Sequence, residues 1–549
     1  MAISNLVNRI KIERETSAMV VGPDGSVFTP ADGEAVEGVE IRAEKDMLPV
    51  PLDDPKRTWG TFTLTGYWVA EAFGISQYQV ASSAVSAGLS PGMTIGAIIL
   101  GHFVISLACA ANGYVGARYG INFPSYARTC FGVYGTYVAV ICRSVAAIIW
   151  FGTQSYQGGQ AVQVMIQSIW PSFITFPNHL PENAHVTSAM LLCFFIFWLI
   201  QLPLLHIHIS KLHYLFLVKI VIMPIFGIAL FGWAVGRAHG FGPVFSKATN
   251  ITDGRTPGLV FMSAFTSAIA PKATLSLNLA DFTRYAKNPR SVVWTNIFSL
   301  TVLVTLCAIL GVVVTSATEV IYGKATWSPL QVSQLMGRAP RFFTAFCWGL
   351  SVLSTNISAN STAVGNDLMV MFPRYINIRR GQYITAVLGV VTCPWIIQST
   401  AKSFTAFLGG YSVFLAPIGG ILMAEFFLVR NRRISLPDLF ILSPKSCYYY
   451  TKGFNLRGMT AFVFGIVPTL PGMIRNVSPN VGVPYGALYV YAGVYPVGCV
   501  VAGATYTLLS YAFPPAPLPS TYSASDYSFD GVSDKEKEVG VEGVNVVQV

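Results

Sequence analysis

Long apolar stretches separated by short polar connections run from about residue 60 to residue 512 of this 549-residue chain. A helix rises about 1.5 Å per residue, so roughly 20 apolar residues cross the ~30 Å hydrocarbon layer of a bilayer. Twelve runs reach that length, near residues 62–85, 92–114, 132–163, 188–207, 212–236, 258–283, 292–317, 341–363, 382–399, 403–429, 458–475 and 484–512. The pattern predicts an all-α polytopic membrane protein of twelve transmembrane helices, with both termini on one side because the number is even. The first forty residues are polar and hold no apolar h-region, so the first span is expected to direct insertion itself.

Composition agrees: mean hydropathy is +0.55, with 53% hydrophobic and only 11% charged residues. The net charge of +10 is unevenly spread. Residues 1–58 hold seven Lys/Arg against eleven Asp/Glu and residues 513–549 two against six, which leaves a basic core. Its cations concentrate after even-numbered spans, at Arg118, Arg128, Lys211, Arg284, Lys287, Arg290, Arg374, Arg379, Arg380, Arg430, Arg432, Arg433, Lys445, Lys452 and Arg457. Retention of positive charge on the cytoplasmic side explains that distribution, excludes nucleic acid as a partner, and places both termini in the cytoplasm. The sequons at Asn250 and Asn476 fall in the opposite loops. The nine cysteines are scattered without metal-like or disulfide-like spacing, and the seven histidines form no metal spacing.

Polar residues inside apolar runs mark the candidate site. The first span is interrupted at Phe73-Gly74-Ile75-Ser76 and the sixth at Ala270-Pro271-Lys272, each opening a run of five spans. Broken helices at matching places in two halves point to an inverted-repeat transporter with substrate bound between the breaks. In the third span Trp150 and Gln154 are four apart and share a helix face, a flat aromatic surface beside an amide, suited to a planar heterocycle with adjacent carbonyl and N–H groups. In the eighth span, at 100° per residue, Asn356, Asn360 and Asp367 fall on one stripe and Ser351, Ser354 and Thr355 on roughly the opposite face. The second stripe either meets the first break as an oxygen cage for a small cation or bonds back to its own helix. Glu71, Lys219, Lys272 and Asp367 are ionisable groups within or beside spans, and a carboxylate at such depth can carry a proton through a transport cycle. Glu71 with Lys219 is alternatively a static pair, and Asp281 with Arg284 a local anchor of the helix end.

Four motifs carry a resemblance: Asn278-Leu-Ala-Asp281-Phe-Thr-Arg284-Tyr285, Trp150-Phe-Gly-Thr-Gln154, Ser354-Thr-Asn-Ile-Ser-Ala-Asn360 and Tyr411-Ser-Val-Phe-Leu-Ala-Pro-Ile-Gly-Gly420. Over roughly residues 45–512 the chain resembles the nucleobase-cation-symport-1 family, and Asp46-Met-Leu-Pro-Val-Pro ahead of Arg57-Thr-Trp59 resembles its fungal Fur-type members, which take up uracil, allantoin, uridine or related purines. The resemblance implies the LeuT-like (APC) fold, five helices plus five inverted, with two extra. It implies that Trp150 stacks on the substrate ring, that Gln154 and Asn360 bond its edge, and that Lys272 stands where sodium-driven hydantoin members have a second tryptophan. It also implies coupling and gating at Glu71 and Asp367, and an outer gate around Tyr411 and Phe414. Glu425-Phe426 departs from the family's usual Asp-Tyr.

The resulting expectation is a proton-coupled importer of uracil or a related oxo-heterocycle such as allantoin, in the plasma membrane, without a cofactor, with H+ rather than Na+ as coupling ion. Its substrate-binding residues are Trp150, Gln154, Lys272 and Asn360, and its coupling and gating residues Glu71, Lys219, Ser351, Ser354, Thr355 and Asp367. Uridine, uric acid or thiamine are alternative substrates. A nutrient-sensing receptor on a transporter fold is the alternative from another class, and an enzyme is disfavoured because no nucleophile has a base beside it. The expected organisation is a cytoplasmic tail (1–58), a core of ten spans (59–430), two further spans (431–512) and a cytoplasmic disordered tail (513–549); both tails, short and acidic, read as disordered. Lys11, Lys45, Lys56, Lys535 and Lys537 are candidate sites for ubiquitin-ligase machinery. The permease reading rests on breaks in both the first and sixth spans around one chamber lined by Trp150, Gln154, Asn360 and Lys272, so an unbroken sixth helix, or those four side chains far apart and facing lipid, is expected to overturn it.

Overall fold

The computed structural model describes residues 18–21, 27–28, 39–42, 48–206, 213–241, 247–372 and 375–518. Lys11, Lys45, Lys211, Arg374, Lys535 and Lys537 lie outside these. The helices fall where hydropathy put them: α1 (Thr61–Ala72) and α2 (Ile75–Ser86) form the first span, followed by α3 (Pro91–Tyr119), a short α4 (Phe123–Phe131), α5 (Thr136–Ile169), α6 (Ser188–Leu205), α7 (His213–Arg237) and α8 (Pro257–Thr283). Then come α9 (Pro289–Tyr322), α10 (Arg338–Met371), α11 (Ile378–Val391), α12 (Ala401–Val429), the bent pair α13 (Leu456–Ile466) and α14 (Leu470–Val477), and α15 (Val494–Ala512). Among the described residues nine helices are long and apolar enough to cross a membrane, or ten with the bent pair. The broken α1–α2 and the 14-residue α11 fall short of that length as single helices.

Local sequence explains where the helices start. Ser90, Thr256 and Thr400 accept hydrogen bonds from the amides of Met93, Leu259 and Ser403, and Pro91 and Pro257 follow their caps directly, where the missing N–H costs nothing. α3 stops at Gly120, whose φ of 67° and close approach to the Val50 backbone only glycine tolerates. Arg57, just ahead of α1, donates to the carbonyls of Val50, Pro51, Ala117 and Ala286, tying the approach of the first span to the ends of α3 and α8. Small residues let helices touch, as membrane packing requires. Gly152 of α5 and Gly389 of α11 meet backbone to backbone, and a Cβ at Gly152 would strike the Gly389 carbonyl. Gly152→Val is therefore expected to cost about 1–3 kcal/mol or more by overpacking. Size-exclusion profiles of the detergent-extracted protein should show its loss, whereas Gly232→Val, with open space around the position, should match wild type.

Two expectations need correction. α8 is one continuous 27-residue helix with Pro271 inside it, not a broken span. Proline removes one N–H, so the Ser267 carbonyl lacks its usual donor, but Pro271 sits in a helix buried along most of its length, and packing holds both halves in line. The chamber is therefore opened by the single break between α1 and α2. The amino-terminal tail, expected to lack structure, forms an antiparallel sheet of β1 (Ala18–Val21), β2 (Val27–Phe28) and β3 (Val39–Arg42) in the order β2-β1-β3, with Val20 opposite Phe28 and Ala18 opposite Arg42. The acidic composition of the tail masked three short β-forming runs, the first two separated in sequence by Gly22-Pro23-Asp24-Gly25-Ser26.

Candidate functional site

The first span breaks because Phe73 leaves helical geometry (φ −84°, ψ 84°) and Gly74 is extended (φ −141°, ψ 153°). Ser351 of α10 donates its hydroxyl to the freed Phe73 carbonyl. Beside this break lies a cavity of about 50 Å3, walled by Glu71, Gln77, Trp150, Gln154, Lys272 and Asn360 among others. The four side chains expected to bind substrate thus surround one space, although α8 is unbroken.

Its polar wall is a chain of carboxamides. Asn360 spends both amide hydrogens inside the protein, donating to Gln154 Oε1 at 3.1 Å and to Asn356 Oδ1 at 2.9 Å. Asn356 in turn donates to Gln201 Oε1 at 2.7 Å, and Gln201 to Ser155 Oγ at 3.0 Å. This leaves the Asn360 carbonyl oxygen and the Gln154 NH2 group without partners among the described residues, one acceptor next to one donor at the cavity wall. The geometry departs from an ideal α-helix here: Asn356–Thr362 form wide, π-type turns. Even so, the stripe read from the sequence keeps facing α5, with Asn356 donating to the Phe151 carbonyl (3.2 Å) and Asp367 accepting from Ser144 (2.7 Å).

The charged groups are arranged differently from a simple pair. Lys219 donates to the Thr355 hydroxyl at 2.6 Å, and no ion pair joins it to Glu71 among the described residues. The Glu71 carboxylate is buried, and its Oε1 has no partner among the described residues. Lys272 reaches the backbone carbonyl of Glu71 at 3.4 Å, with its ammonium 5.9 Å from the centre of the Trp68 ring. Asp367 does not line the cavity. It is ion-paired with Arg143 in the protein interior. Ser354 Oγ is buried without a partner among the described residues, while the Ser354 carbonyl accepts from Ser358 at 3.0 Å. Asp281 accepts from the Phe123 amide at 2.7 Å, anchoring α8 to α4, and Arg284 donates to the Tyr285 hydroxyl.

Trp150 is held edge-on by aromatic residues of α12: Phe404 at 6.3 Å, Phe407 at 5.4 Å and Tyr411 at 6.4 Å between centroids. Phe414, expected at the outer gate with Tyr411, packs against the cluster of Val413, Tyr491 and Val494, and neither Phe414 nor Tyr411 lines the cavity. Phe404 and Phe407 went unnoticed because aromatic residues in apolar runs are ordinarily core. Also missed was an amide ladder in which Gln157 donates to Gln79 Oε1 (2.9 Å) and Gln79 to Gln398 Oε1 (3.1 Å), linking α5 through α2 to the connection before α12. The rule that singled out Gln154, an amide inside an apolar run, would have found Gln79 and Gln157 as well.

A helix broken beside a polar cavity, inside a bundle of apolar spans, defines a multi-pass membrane transporter rather than an enzyme. The chain belongs to the family of permeases for cytosine/purines, uracil, thiamine and allantoin, whose sequence model matches residues 49–498. It is 32% identical to the allantoin permease of Saccharomyces cerevisiae over 484 residues, covering 86% of this chain and 76% of that one. With the uracil permease of the same yeast it shares 32% over 477 residues, covering 84% and 75%. Among solved structures, the nucleobase-cation-symport-1 transporter Mhp1 in a closed conformation with bromovinylhydantoin bound superposes with a TM-score of 0.67 at 19% identity, covering 86% of this chain and 97% of Mhp1. That likeness establishes the fold.

Proposed function

We propose that this permease is a proton-coupled importer of uracil or a closely related oxo-heterocycle such as allantoin, working by alternating access in the plasma membrane with both termini cytoplasmic. The observation that carries the reading is the free donor of Gln154 beside the free acceptor of Asn360, next to the indole of Trp150. A cyclic imide or ureide edge offers C=O beside N–H, the complement of that pair, and its flat ring suits an aromatic face. Relatives named as allantoin, uracil and uridine permeases support the same class. In the proposed cycle the ring docks from outside against Trp150 and the amides, the α12 aromatics close over it, and the site reopens inward.

Proton coupling is supported by Lys219. Its ammonium bonds Thr355, on the hydroxyl stripe for which a cage for a small cation was one of the two readings. A tethered positive charge there repels a second cation, while Glu71, with an unpartnered carboxylate oxygen beside the cavity, has the chemistry to take up and release a proton. Uptake of labelled uracil in cells lacking their own permeases is expected to fall severalfold with a protonophore and to stay unchanged when sodium is removed. Competition by a panel of heterocycles ranks uracil and allantoin against uridine, uric acid and thiamine. Binding without any uptake would favour a receptor instead.

A further inference from the structure

Gln77, three residues past the break in α2, also lines the cavity. Its amide nitrogen lies 2.8 Å from Nε2 of His102 in α3, and Nδ1 of His102 lies 2.8 Å from the Thr305 hydroxyl in α9. All three residues are buried, His102 completely. The Gln77 carbonyl oxygen has no partner among the described residues.

A neutral imidazole carries one N–H and one bare nitrogen, so this chain has two self-consistent settings. With the proton on Nδ1, His102 donates to Thr305 and accepts from the Gln77 NH2, which leaves the Gln77 carbonyl oxygen for the cavity. With the proton on Nε2, His102 donates to that oxygen and accepts from the Thr305 hydroxyl, so Gln77 offers its NH2 to the cavity instead. Half a turn of the amide converts one setting into the other with the heavy atoms almost unmoved. The hydroxyl at residue 305 is what permits both, because it donates or accepts as required. Valine serves neither setting, and a carboxylate serves only the first.

We propose that His102 and Thr305 are positioning residues that set the hydrogen-bond polarity of Gln77, allowing the substrate site to accept either a carbonyl or an amino group at the ring edge that meets Gln77. The inference deepens the proposed function and rests on its heterocyclic substrate. Uracil and cytosine differ at C4 by carbonyl against amino and at N3 by N–H against a bare nitrogen, so the part of their relative kcat/KM for uptake that depends on Gln77 reads the polarity.

Thr305→Val should shift the uracil-to-cytosine ratio by about tenfold or more, since both settings lose the hydroxyl but a buried Nδ1–H left without an acceptor costs more than a bare Nδ1 left without a donor. Thr305→Ser should keep the wild-type ratio. Gln77→Leu should abolish the dependence, so that the Gln77→Leu/Thr305→Val double variant has the ratio of Gln77→Leu alone. A uniform loss of uptake for both bases in Thr305→Val, with the ratio unchanged, would mean that the triad only packs, and the proposal fails. Should Thr305→Val not reach the surface, Thr305→Ala carries the same test, because it too removes the acceptor of the His102 Nδ1–H. If wild-type protein transports neither base, the permease reading fails first. The imidazole 15N signals of His102 in purified protein then decide the inference independently, an unchanged tautomer in wild type and Thr305→Ala overturning it.

Discussion

Asn360→Ala should lower uracil uptake by at least about a hundredfold while the protein still reaches the cell surface. The substitution deletes the acceptor that faces the cavity and strips Gln154 Oε1 and Asn356 Oδ1 of their shared donor. Each buried polar group left unpaired costs about 1–3 kcal/mol, or roughly ten- to a hundredfold in an equilibrium. Gln154, released, is free to turn and present the wrong end to the ring. Folding should survive because Asn360 itself lines the cavity of about 50 Å3, so the space its side chain vacates joins that cavity and water can reach the freed atoms to replace the lost amide. Gln154→Glu sharpens the test: it preserves size and the acceptor for Asn360 but replaces the free NH2 by oxygen, and is expected to be as inactive as Gln154→Ala. Surface biotinylation alongside labelled-uracil uptake separates transport from trafficking. Normal uptake in both Asn360→Ala and Gln154→Glu would retire this cavity as the substrate site.

The span positions were legible because hydropathy over some twenty residues is a strong signal, and bilayer thickness leaves few alternatives. Gln154, Lys272 and Asn360 were legible for a related reason: polar groups in apolar runs need partners or a wet cavity, and here these three share one. The same rule applied to His102 in Leu-Gly-His-Phe-Val or to Gln77 would have found them, but histidine was weighed only as a metal ligand. Pro271 shows the limit of local reading. A proline states that one hydrogen bond is missing, whereas neighbouring helices decide whether the helix ends. The wide turns at Asn356–Thr362 left no mark in residue types, since they arise from how α10 seats its amides against α5. Asp367 was placed on the correct stripe, and its depth in the eighth span, together with the resemblance, suggested a coupling role. Its partner Arg143, in another span, becomes visible only when α5 and α10 are packed together.

Arg143→Ala should leave little folded protein. Arg143 and Asp367 are both essentially inaccessible to solvent and ion-paired. Arg143 also donates to the Ala363 carbonyl at 2.9 Å and sits 5.4 Å from the centre of the Phe123 ring. With the Asn278 amide turned to satisfy its neighbours, it donates to that oxygen at 3.1 Å. One guanidinium therefore joins α5, α10, α8 and α4. Removing it strands a buried carboxylate whose Oδ1 already lacks a partner, at a cost of about 3–5 kcal/mol. Asp367→Ala should be nearly as damaging, for the mirror reason. Replacing both by apolar residues of similar volume, Arg143→Met with Asp367→Leu, removes two desolvated charges at once and should recover most of the loss, since such swaps are often neutral. A double-mutant cycle on the thermal stability of detergent-purified protein measures this coupling. The recovered double variant then separates two roles for Asp367. If it folds and still takes up uracil with wild-type dependence on external pH, Asp367 is a structural tie, and proton coupling falls to Glu71 and the lysines around the break. If it folds but uptake no longer responds to pH or to a protonophore, the carboxylate paired with Arg143 carries the proton after all.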